Sequence, residues 1–95
     1  MSFRGAIILL TLMFASCAVG PPVQEMSDAR QAIAAAEESN AATLAPDDLD
    51  EARRLLEEAE SQLRDRNYGL AQDSALLARD RAVDALQATQ AVGQE

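Results

Sequence analysis

The chain carries one thiol, Cys17, no histidine and no lysine, and it sets 16 carboxylates against eight basic residues, all of them arginine. That inventory decides which chemistries are open. Imidazole and amine bases are absent, a single cysteine cannot form an internal disulfide, and most transition-metal sites lose their usual ligands. Glutamates and serines remain, but no serine stands at a spacing that pairs it with a base, and no glycine-rich phosphate loop appears. Carboxylate pairs could in principle serve as acid and base, yet a chain this short has little room for a substrate cleft. No enzyme, no cofactor and no small-molecule substrate is expected. The densest carboxylate group, Asp47-Asp48-x-Asp50-Glu51, lacks the alternating ligands, central glycine and twelfth-position glutamate of a calcium loop. It fits the first turn of a helix, where negative charge complements the helix dipole. Tyr68, the one aromatic after Phe14, is a candidate contact residue; more often such a side chain covers a helix joint with its hydroxyl in water.

Cys17 ends an apolar stretch, Gly5 to Ser16, preceded by Arg4 and closed by the small residues Ala15 and Ser16. The apolar core is about ten residues long, the size of a secretory signal and too short for a membrane span of about 20 residues. The layout from Arg4 to Cys17 resembles a bacterial lipoprotein signal peptide, with Phe14 where leucine is commoner. The resemblance implies that residues 1–16 are removed and that Cys17 is acylated and becomes the first mature residue. It also implies sorting to the outer membrane, periplasmic face, because residue 18 is alanine and not aspartate. Two alternatives stay open: Ser16-Cys17-Ala18 as an ordinary cleavage site releasing a soluble periplasmic protein, and an uncleaved anchor. Acylation would account for a lone cysteine in an exported chain, which otherwise leaves a free thiol in an oxidising compartment.

The full chain has a formal charge of -8; without Arg4, seven arginines stand against the 16 carboxylates, a formal -9. Nucleic acid and anionic lipid head groups repel that charge overall. Residues 18–22 make a short tether that extends no further than roughly 18 Å. A first helix is expected from about Val23 to Asn40, with Val23, Met26, Ile33 and Ala36 on one face. Residues 41–45 lead to Pro46, which can open the next helix. The second helix is expected over Pro46 to Arg66. Its seam is Leu49, Ala52, Leu56, Ala59 and Leu63, widened by Leu55. Asp50–Arg54 and Glu60–Arg64 are spaced for ion pairs on that helix. Asn67-Tyr68-Gly69 breaks the pattern. A third helix then runs from about Leu70 to Val92 on a stripe of Ala71, Ala75, Ala78, Ala82, Ala85, Thr89 and Val92. Small residues let another helix approach closely, so Ala78 and Ala82 are candidate contact residues for a second copy, while an internal core explains the stripe equally well. The elements make residues 23–92 an all-α domain, a small antiparallel three-helix bundle, followed by a tail at 93–95.

Two resemblances add to this reading. Ala29-Arg-Gln-Ala-Ile-Ala-Ala-Ala36, Ala45-Pro-Asp-Asp-Leu49 with Ala52, and Asn67-Tyr68-x-x-Ala71 with the alanine stripe are similar to a family of alanine-rich domains of unknown function in Gram-negative envelope lipoproteins. In relatives this domain can precede a peptidoglycan-binding domain of the OmpA-like type. None is seen through Glu95, so peptidoglycan binding is not carried over. Leu49 to Leu86 also resembles a single tetratricopeptide-like helical hairpin with Asn67-Tyr68 in its turn; a solenoid needs about three such repeats. The function expected is a lipid-anchored, non-catalytic interaction or scaffold module in the cell envelope, partnered by the membrane through Cys17 and by a second copy or an envelope protein. The alternatives are a tetratricopeptide-like peptide-binding adaptor and a structural spacer.

Overall fold

The computed structural model describes residues 20–93. Among them every regular element is helical: α1 Val23–Glu38, α2 Ala41–Leu44, α3 Pro46–Arg64 and α4 Tyr68–Gly93. α1 starts directly after the prolines, and the amides of Val23 and Met26 donate to the carbonyls of Pro21 and Pro22. Pro46 is at the opening of α3, where its missing amide costs nothing.

The joints depart from the sequence expectation. α1 stops at Glu38 rather than Asn40, because Asn40 takes the left-handed conformation, φ 67°. Asparagine tolerates that region better than most residues. The segment expected to be an irregular link then winds into the four-residue α2, with Leu44 and Ala45 donating to Asn40 and Ala41. α3 stops at Arg64 rather than Arg66. Arg66 adopts φ 63°, its amide donates to Leu63 at 3.0 Å, and that of Asn67 donates to Gln62 at 2.8 Å. These two bonds close the end of a helix around a left-handed residue, a place usually filled by glycine. Tyr68 and Gly69, expected to lie in the break, are the first residues of α4, so the turn is only residues 65–67.

Burial follows three layers. At one end Ile33 and Ala36 of α1 meet Ala41, Ala45, Leu49, Ala52, Ala82 and Ala85. In the middle Ala29, Leu55 and Ala78 come together. At the other end Met26 packs with Ala59 and Ala75. Rising numbers in α1 therefore accompany falling numbers in α3 and rising numbers in α4, so α3 runs against both other long helices. α4 packs on α1, α2 and α3, and the contact between α1 and α3 is much smaller. Leu55, expected at the edge of the α3 seam, is more buried than Leu56 and Leu63. A helix packed on two partners needs a wider apolar face than a two-helix seam, and Leu55 fills the extra width. Met26 and Leu49 are the only large side chains that are fully enclosed among the described residues.

Candidate functional site

α4 is the element on which the candidate contact residues converge. Its inner row, Ala71, Ala75, Ala78, Ala82, Ala85 and Thr89, is buried throughout. Ala78 and Ala82 are each 0 % exposed, with Ala78 against Ala29 and Leu55, and Ala82 against the layer of Ile33 and Leu49. The row is internal to the fold, and a second copy could reach it only after α1 or α3 moved away. Val92, in the last turn of α4, leaves the stripe and is exposed. Thr89 donates its hydroxyl to the carbonyl of Leu86 at 2.6 Å, which satisfies a polar group at the buried end of the row.

The large aliphatic residues of α4 lie on the flanks. Leu70 is 57 % exposed and Leu77 52 %, with Val83 also outside. Leu70 and Leu77 are seven residues apart, hence on one line of the helix. That line follows the α3 side, marked by Ser74, whose Oγ donates to Oε1 of Gln62 at 2.7 Å. On the α1 side, Nε2 of Gln72 donates to Oε1 of Glu25 at 3.4 Å. Sequence reasoning had no signal for these two cross-helix bonds. Ser74 interrupts the apolar texture of α4, but only the fold brings Gln62 within reach.

The α3–α4 turn places Tyr68 half-buried at the start of α4, with Arg64, Asp65, Arg66 and Asn67 exposed before it. Cys17 lies outside the described residues. The ion pairs are redistributed from the expected ones. Arg54 binds Glu51, with Nε at 3.0 Å and Nη2 at 2.6 Å, and also Glu58, instead of Asp50. Asp50 pairs with Arg53, which also reaches Glu37 of α1 at 3.6 Å, and Glu60 pairs with Arg30 of α1 instead of Arg64. The hydrogen-bonded guanidinium of Arg54 holds the Glu51 carboxyl below the usual glutamate range, and Glu51 raises Arg54 in return. Arg54 is exposed and Glu51 half-exposed, so the pair organises the surface of α3. Among the described residues, no group of three or more Asp, Glu, His or Cys is placed to hold a metal ion. No described helix is long and apolar enough to cross a membrane.

The fold and its surface thus define an all-helical domain with an alanine-lined central helix. Residues 24–95 match a domain of unknown function, DUF4398, and the chain belongs to that family. No curated protein and no solved structure matches it.

Proposed function

We propose that the protein is a lipid-anchored, non-catalytic interaction or scaffold module of a Gram-negative cell envelope, held at the periplasmic face of the outer membrane. The observation that carries this reading is Cys17 directly after a ten-residue apolar stretch and two small residues, about the length and pattern of a lipoprotein signal. Its architecture in this reading is an antiparallel three-helix bundle whose α3–α4 pair is a tetratricopeptide-like hairpin. The exposed line of Leu70 and Leu77 supports a contact role, since large aliphatics at the edge of a helix pair are common anchors of helix-on-helix docking. Anchoring adds to this by raising the local concentration of the domain for other membrane-held partners. The alternative, a peptide-binding adaptor, draws on the half-buried Tyr68 beside the hairpin turn.

Intact mass spectrometry of the membrane fraction, run beside a Cys17→Ala variant, tests the anchor. A mature species starting at Cys17 and carrying acyl chains is expected, and the variant should lack it. A soluble, unacylated product would remove the anchor and the reasoning built on it. Photocrosslinking from position 77 in the acylated protein then tests the contact line, with a crosslinked dimer or an envelope protein expected.

A further inference from the structure

We infer that the end of the domain formed by the α3–α4 turn and the start of α1 lies directly on the lipid surface, with Arg64 and Arg66 binding lipid phosphates. The inference rests on the anchored reading above, and it adds an orientation and a second membrane contact.

Three observations point to this end. The first is connectivity. Met26 and Glu25, at the start of α1, meet Ala59, Ala75 and Gln72, so the start of α1 and the α3–α4 turn occupy the same end of the domain. Residues 18–22 are all that separates Cys17 from Val23. An acyl chain on Cys17 therefore holds that end within roughly 18 Å of the membrane.

The second is charge pairing. Arg30, Arg53, Arg54, Arg79 and Arg81 each reach a carboxylate. Among the described residues, Arg64 and Arg66 are the two arginines in no salt bridge, and both are exposed at this end. Asp65 shares the turn, so the end is not a basic patch. It offers two separate guanidinium forks, each able to bind a phosphate in bidentate geometry.

The third is apolar exposure. Val23 is 71 % exposed and Leu70 is open to solvent, with Tyr68 half-buried between the turn and α4. Aliphatic, tyrosine and arginine side chains together suit the head-group layer, where an apolar body and a polar tip are both satisfied. The dense carboxylates Asp47, Asp48, Asp50 and Glu51 lie at the opposite end, on the first turns of α3. A negative membrane repels that end most, so the overall acidity of the chain helps to orient the domain.

The chain has no tryptophan, which makes a single introduced one a clean probe. The acylated protein carrying Tyr68→Trp is placed in vesicles of phosphatidylethanolamine and phosphatidylglycerol with brominated acyl chains; Leu44→Trp, on α2 at the far end, is the comparison. Quenching at position 68 with emission at position 44 unchanged is expected. Equal quenching at both, or none at 68, overturns the inference. A second arm uses the mature chain, residues 17–95, with one acyl chain coupled chemically to Cys17, so that membrane partition is reversible. Arg64→Gln with Arg66→Gln should weaken partition by about fivefold for each arginine removed, the worth of a basic side chain at an anionic surface. Arg79→Gln with Arg81→Gln removes the same charge elsewhere and should weaken it far less. If the two double variants lose equally, only net charge matters and the docking end is wrong. The mass spectrum of the cellular protein judges the anchor independently, since the chemically coupled chain tests docking whether or not the cell acylates Cys17.

Discussion

α3 and α4 pack along most of their length, yet they distribute side-chain size in opposite ways. α3 turns leucines inward at 49 and 55 and covers its outer side with Asp, Glu and Arg. α4 turns alanines inward and leaves Leu70, Leu77 and Val83 outside. The difference follows from position. α4 shares the two most extensive contacts of the fold, with α3 and with α1, and close approach along both leaves room only for small side chains between the helices. Alanine supplies the narrowness and the helix propensity together. α3 meets the other helices less extensively and has space for larger groups that give more burial per residue.

Four substitutions test this contrast. The largest effect is expected from adjacent positions on α4. Ala78→Glu places a carboxylate in the middle layer with no partner and should cost roughly 3 kcal/mol or more, enough to unfold a domain of this size. Leu77→Glu, one residue earlier and outside, should change stability by no more than about 0.5 kcal/mol. Urea unfolding followed by helical circular dichroism reads both, and equal losses would mean that the inner row is misassigned. Next, Leu49→Ala should cost about 3 kcal/mol, the usual price of emptying a fully enclosed leucine site. Leu70→Ala should sit near zero by the same measurement. A leucine outside that proved as costly as the leucine inside would abolish the distinction drawn between α3 and α4.

The joint connecting the two helices responds more weakly and with the opposite sign. Arg66→Gly relieves a left-handed backbone at φ 63° and should raise stability by about 1 kcal/mol, visible as a higher urea midpoint. The same change should reduce lipid binding if the turn is the docking end, so fold and contact separate in one variant. The smallest effect belongs to the α3 surface. The Glu51 carboxyl is depressed in the folded state, so its contribution is present above the unfolded glutamate pKa and fades as pH falls through the folded value. Arg54→Ala should return Glu51 toward its ordinary range in an NMR titration and flatten that part of the acid-side loss. No upward movement of Glu51 would show that the bidentate pair is not maintained in solution.

The helical class was legible from the residues because alanine content and the 3-4 spacing both point the same way. The inner row of α4 was legible to Thr89 for that reason. The joints were legible in part: Pro46 opens α3 and the first helix gives out near Asn40 as expected, but the four-residue α2 and the turn at Arg66 did not show. Asn40 and Arg66 end their helices by backbone conformation, and the arginine gives no advance signal in a place that favours glycine. Leu55 outranked Leu56 because α3 faces two helices, and which ones they are depends on the path of the chain. The ion pairs shifted for a similar reason: Glu60 and Arg53 found partners on α1 that no spacing within α3 contains. Tyr68 was visible as an isolated aromatic, whereas Arg64 and Arg66 stand out only after every other described arginine has been given a partner. Arg64 also stands in the last turn of α3, where its charge complements the helix dipole.

The three long helices alternate in direction, and three is an odd number. The chain therefore enters the domain at one end and leaves α4 at the other. α4 has 26 residues, about 39 Å of rigid rod at 1.5 Å per residue. The far end of α4 therefore stands most of that length away from the point where the chain enters, and adding or removing one turn of α4 would change the separation by about 5.4 Å.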